Sequence, residues 1–143
     1  MQKSYAYAMF VLFGLLTSCS KKEEAAPTSS TIALSATING AQQVPANASV
    51  ATGTFVGSYN SGSKQLTYTV TYQGLTPSIA HIHVGAPGAA GPVAIPFANL
   101  ASPITGTVTL TSDQANNLLT NSMYVNLHSN AYPNGEIRGD IHK

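Results

Sequence analysis

Lys64-Gln65-Leu66-Thr67-Tyr68-Thr69-Val70-Thr71-Tyr72 is the stretch that decides the fold class. Large apolar side chains alternate strictly with Gln and Thr. An extended chain therefore puts Leu66, Tyr68, Val70 and Tyr72 on one face and Gln65, Thr67, Thr69 and Thr71 on the other. The pattern predicts a strand with one buried and one wet face, as antiparallel sheets commonly have. Upstream, Asn60-Ser61-Gly62-Ser63 offers a short hairpin loop with residues that tolerate positive φ, and Ala51 to Tyr59 offers the partner strand.

Further out, Thr31 to Ile38 alternates as a first strand that Asn39-Gly40 ends, and residues 41–49, with Pro45, read as a loop. Downstream, strands are expected over 78–84, 93–97, 104–111, 123–129 and 136–142. Pro96 suits the 93–97 strand to a sheet edge. Ser112 to Leu119 is the only helix candidate, with Ser112 as its cap and Leu118 and Leu119 as a small apolar face. About eight short strands with turn signals between them predict an all-β, antiparallel β-sandwich of Greek-key or immunoglobulin-like type over residues 31–143.

Composition narrows the function. Of 143 residues only 8% are charged, and the formal net charge is +1. Beyond residue 30, Lys64, Arg138 and Lys143 balance Asp113, Glu136 and Asp140. Such a chain has no basic surface for nucleic acid.

Residues 1–18 read as a targeting leader: Lys3 supplies a positive charge and Tyr5 to Leu16 an apolar run. That run is short of the roughly 20 residues a bilayer span needs. Leu16-Thr17-Ser18-Cys19 resembles the lipobox of bacterial lipoproteins, and Cys19 is the chain's only cysteine. The resemblance implies cleavage before Cys19, lipid acyl chains on that residue, and the membrane as a partner. Ser20-Lys21-Lys22-Glu23-Glu24 resembles the surface-export signal of Bacteroidetes lipoproteins, which implies an outer-membrane location facing outward. Residues 19–30 then form the lipidated cysteine and a linker.

Three strands combine an aliphatic face with a polar one. In Ser78-Ile79-Ala80-His81-Ile82-His83-Val84, the two histidines share a face opposite Ala80, Ile82 and Val84. In Met123 to Ser129, Tyr124, Asn126 and His128 lie opposite Val125 and Leu127. In Glu136 to His142, Glu136, Arg138 and Asp140 lie opposite Ile137 and Ile141. The short loop between the last two strands makes them hairpin neighbours, with His128 near Glu136 or Arg138. If the histidine pair joins the same sheet, His81, His83 and His128 could hold copper or zinc, with Glu136 orienting one imidazole. Tyr124, Asn126, Glu136 and Arg138 would surround the three imidazoles. The competing reading is a solvated polar face on which His128 bonds its adjoining loop and Glu136 and Arg138 form a structural ion pair.

No nucleophile elbow, phosphate-binding glycine loop, nucleophilic cysteine or His-Glu-x-x-His helix is present. Three carboxylates lie beyond the linker, none paired in sequence with another. Hydrolysis by general acid and base is therefore poorly supported, and a binding role is expected over an enzymatic one.

Ala80-His81-Ile82-His83-Val84-Gly85, Gly91-Pro92-Val93, Tyr124-Val125-Asn126-Leu127-His128-Ser129 and Pro133-Asn134-Gly135-Glu136-Ile137-Arg138-Gly139-Asp140-Ile141 together resemble the CHRD domain, named for chordin and found in many microbial secreted proteins. The resemblance covers roughly residues 31–142. It implies an all-β, immunoglobulin-like fold and, behind a lipid anchor, a non-enzymatic role in binding a protein or surface. A more distant similarity is to copper/zinc superoxide dismutase, a Greek-key sandwich with a strand-borne His-x-His copper pair. It implies a simpler, redox-capable copper site, since the long zinc loop and the disulfide cysteines of that family are missing here.

Overall fold

A computed structural model describes residues 29–143; the expected leader, Cys19 and the linker up to residue 28 lie outside the described residues. Eight strands form in the expected order: β1 Thr31–Asn39, β2 Thr52–Asn60, β3 Gln65–Gln73, β4 Ile79–Val84, β5 Val93–Pro96, β6 Ile104–Thr109, β7 Met123–His128 and β8 Ile137–Asp140. Among the described residues one α-helix, α1 (Ser112–Leu119), links β6 to β7. The strands make one antiparallel sheet in the order β5-β4-β7-β8-β1-β2-β3-β6.

The hairpin read from the sequence is the backbone of one half. β2 and β3 pair over their full length, from Thr52↔Gln73 to Asn60↔Gln65. β1 adds to β2 from Thr31↔Asn60 to Asn39↔Thr52. The other half is β8-β7-β4-β5, and the first and last strands join the halves through Asn39↔Arg138 and an isolated bridge, Ser35↔His142. β5 lies at the sheet edge, where its proline needs no ladder partner on the open side.

The sheet curls until its two ends meet. Tyr68 on β3 stacks on Phe97, just beyond β5, at 5.1 Å between ring centroids, although β3 and β5 lie near opposite ends of the strand order. This closure brings the two halves face to face as a sandwich around one core. Leu66, Val70, Ile82, Val125, Leu127 and Ile137 are fully buried in it. Each occupies the inward position that period-2 alternation assigns. Helix α1 seals one end with buried Ala115 and Leu118, and Gln114 Nε2 donates to Ala94 O of β5 at 3.3 Å.

Two expectations need correction. The helix cap is Thr111, one residue earlier than Ser112. Thr111 Oγ1 accepts from Gln114 N and Gln114 Oε1 accepts from Thr111 N, a reciprocal capping box. The second concerns β7 and β8. Their polar faces are largely covered: every residue of β7 is buried, as are Glu136 and Arg138, and only Asp140 is partly exposed. The loop after β4 and the loop after β1 cover that face. Arg138 donates to Ala86 O and Ala89 O of the first, and Ser49 of the second donates to Glu136 Oε1.

Candidate metal centre

β4 and β7 are hydrogen-bonded neighbours, in the register Ile79↔His128, His81↔Asn126 and His83↔Tyr124. Directly opposed residues project to the same face of a sheet. His81, His83 and His128 therefore share one face, His128 lying diagonally across from His81. Ring centroids are 5.3 Å apart for His81–His83, 5.4 Å for His81–His128 and 6.3 Å for His83–His128. One ring nitrogen from each lies within 4.8 Å of the others.

Hydrogen bonding decides which nitrogens these are. His83 Nδ1 lies 3.0 Å from Gly91 O, and His128 Nδ1 lies 2.9 Å from Pro133 O. A carbonyl oxygen only accepts, so each Nδ1 carries the proton and each Nε2 keeps a free lone pair. His81 Nδ1, His83 Nε2 and His128 Nε2 are buried and have no hydrogen-bond partner. Leaving a polar atom buried and unpaired costs about 1–3 kcal/mol, and three together at one point is unusual.

The electrostatics disfavour the charged forms of His81 and His83. Burial lowers the pKa of His81, reinforced by His128 and His83. Burial likewise lowers that of His83, helped by His128 and Arg138 and opposed by the bond to Gly91. A neutral imidazole is the form that ligates a metal. The donor set fits copper or zinc: three borderline nitrogen donors, two of them on rings whose other nitrogen is fixed by a carbonyl. Bonds of roughly 2.0–2.1 Å would draw the nitrogens closer together than the 4.8 Å within which they lie.

The surroundings differ from the expected polar face. Glu136 orients no imidazole; its Oε1 accepts from Ser49 Oγ at 2.7 Å, and two backbone carbonyls take the role foreseen for it. Arg138 pairs with Asp140, at 2.8 Å, and not with Glu136. Tyr124 stacks on His83 with centroids 4.9 Å apart and planes 6° from parallel. The Arg138 guanidinium sits 3.6 Å above the far face of Tyr124. Asn126 accepts from Gln43 Nε2 and touches none of the imidazoles by hydrogen bond. The expected bond from His128 to its adjoining loop is met at Pro133, whereas sequence reasoning did not find Gly91, because a carbonyl carries no side-chain signal. Both stand in the stretches that carry the family resemblance.

Those stretches are where the chain meets a family model. Residues 34–141 match the model of the CHRD domain. The chain belongs to the CHRD family. Comparison with curated proteins and with solved structures finds no match. The matched span takes in all of β2 to β8, and so every residue of the histidine cluster and the two loops that cover the polar face.

Proposed function

We propose that this CHRD protein binds a single copper or zinc ion through His81 Nδ1, His83 Nε2 and His128 Nε2, on a domain tethered to the outer membrane by lipid on Cys19. The observation that carries the metal reading is the convergence of three buried, unpartnered ring nitrogens with two of the opposite ring nitrogens bonded to carbonyls. Core histidines that serve only structure satisfy both ring nitrogens or expose one to water. These do neither. The anchor rests on Leu16-Thr17-Ser18-Cys19 and the outward orientation on Ser20 to Glu24. A role in adhesion would rest on the anchor and the family alone, whereas the metal reading has a set of side chains.

A bound copper ion would supply one-electron chemistry, and a bound zinc ion Lewis acidity. The protein's part is to hold the three imidazoles together, two of them in tautomers set by carbonyls of the loops after β4 and β7. Titration of the purified protein with Cu(II), followed by EPR, and with Zn(II), followed by calorimetry, tests this. One equivalent should bind, with nitrogen hyperfine structure for copper, and a His81→Ala/His83→Ala variant should lose that binding. Equal affinity in the wild type and the double variant would sink the reading.

A further inference from the structure

We propose that Arg138 is the positioning residue of the histidine centre: through the loop after β4, it determines which nitrogen of His83 faces the other two imidazoles. The proposal deepens the metal reading and rests on it for its consequence, though not for its geometry. Arg138 is one of the least exposed side chains in the molecule, at 2%. Burying a guanidinium is costly unless its donors are matched. Here they are matched in a particular way. Nε and Nη2 donate to Asp140 Oδ1 at 3.0 and 2.8 Å, but the remaining bonds go to the loop: Nη1 to Ala89 O at 2.8 Å and Nη2 to Ala86 O at 3.2 Å.

Those two carbonyls stand at either end of the loop's tight turn, where Ala89 N donates to Ala86 O at 2.9 Å. Two residues on, Gly91 accepts from His83 Nδ1. The same guanidinium lies on Tyr124, whose other face lies on the His83 ring and whose hydroxyl accepts from Gly91 N at 3.1 Å. Arg138 thus acts on His83 by two routes that end at the same place. One fixes the position of the Gly91 carbonyl, and the other fixes the plane of the imidazole. An imidazole held in plane against an immobile acceptor has a single tautomer, with the proton on Nδ1 and the lone pair on Nε2.

His128 provides an internal control, because its tautomer is set by Pro133 O in a different loop, to which Arg138 makes no bond. The test is two-dimensional proton–nitrogen NMR of the imidazole rings in the metal-free protein, with Arg138→Lys, Arg138→Met and Tyr124→Phe. Tyr124→Phe removes only the hydroxyl that holds Gly91 N and keeps the ring stack, so it reports on the loop even if the arginine variants fold poorly. The wild type should show His83 and His128 protonated at Nδ1. The variants should shift His83 toward a mixture of tautomers, leave His128 unchanged, and weaken copper binding about 10- to 100-fold. Arg138→Lys should fare little better than Arg138→Met, since an ammonium cannot span Ala86, Ala89 and Asp140 in one plane. A His83 tautomer unchanged in the folded arginine variants, or in Tyr124→Phe should those not fold, would overturn the proposal. Unequal tautomer effects with no copper binding in the wild type would instead sink the metal reading and leave the positioning role standing.

Discussion

Replacing Gly91 with alanine should disable the centre without touching a histidine. A Cβ built on Gly91 would lie 1.7 Å from Val84 O, and real Cβ contacts essentially never fall below 3.0 Å. Something must therefore move by at least about 1.3 Å, the difference between those two distances. Val84 cannot give easily. It pairs with Met123 at the end of β4, and its neighbour Gly85 donates to Ser122 O at 2.9 Å. The loop has to yield instead, and it carries the Gly91 carbonyl with it. A movement of that size along the hydrogen bond would stretch His83 Nδ1···Gly91 O from 3.0 Å to about 4.3 Å, beyond any useful bond.

The lost bond leaves an imidazole N–H buried without an acceptor, a cost of about 1–3 kcal/mol. Chemical denaturation should read that as a lower midpoint with an unchanged slope. Copper affinity should fall by about 10- to 100-fold, as it does when an orienting partner of a metal ligand is lost. Ala90→Ser, at the exposed neighbouring position, should leave both measurements unchanged. A Gly91→Ala protein with wild-type stability and wild-type His83 ring chemical shifts would show that the carbonyl does not hold the ring as argued.

Three other outcomes are expected. His81 and His83 both have pKa values lowered by burial, so below about pH 6.5 the unfolded chain binds protons that the folded one refuses. Stability of the metal-free protein should be fully present well above that pH and fall as the pH drops through and below it, by at most about 1.4 kcal/mol per pH unit per histidine and less for the more exposed His81; urea unfolding across the range checks the sign, and a profile that stays flat or gains stability as the pH drops would contradict it. Thr111→Ala removes half of the capping box and should cost ~1 kcal/mol by the same measurement, with no effect on metal binding. Mass spectrometry of the protein from membranes should find acyl chains on Cys19; an unmodified N-terminus beyond that residue would refute the anchor.

The fold was legible because its signals are local. Leu66, Tyr68, Val70 and Tyr72 announce a strand without reference to anything distant, and Asn60-Ser61-Gly62-Ser63 announces the turn that sets its register. What the sequence did not show is that the polar faces of β7 and β8 are covered. Period-2 alternation separates two faces but does not tell a wet face from one roofed by a loop. The roofing contacts come from 49 to 87 residues away along the chain. Arg138 is the plain case: between Ile137 and Gly139 it reads as a surface residue, yet it is almost wholly buried, with its donors on Asp140 and on two loop carbonyls. The helix start was missed by one residue for a smaller reason, since both Thr111 and Ser112 can cap and only Thr111 has Gln114 three positions on.

The histidine cluster was half legible, and the missing half changes its chemistry. His-x-His on one strand and Asn-Leu-His on another could be matched by type, while their adjacency followed only from the observed order β4-β7-β8. The orienting groups were sought among carboxylates, which a sequence displays, and are in fact carbonyls, which it hides. The difference matters because a carboxylate behind an imidazole adds negative charge and raises the ring's basicity, whereas a carbonyl fixes the tautomer and adds no charge. With Glu136 occupied by Ser49 and Asp140 by Arg138, three imidazoles face one another with no anion hydrogen-bonded to any of them. Protons on His81 and His83 are disfavoured by burial and by repulsion from the neighbouring imidazoles, so the lone pairs of that pair stay available at lower pH than those of an exposed His-x-His. A solvated polar strand has no reason to arrange that, and the metal centre proposed above would.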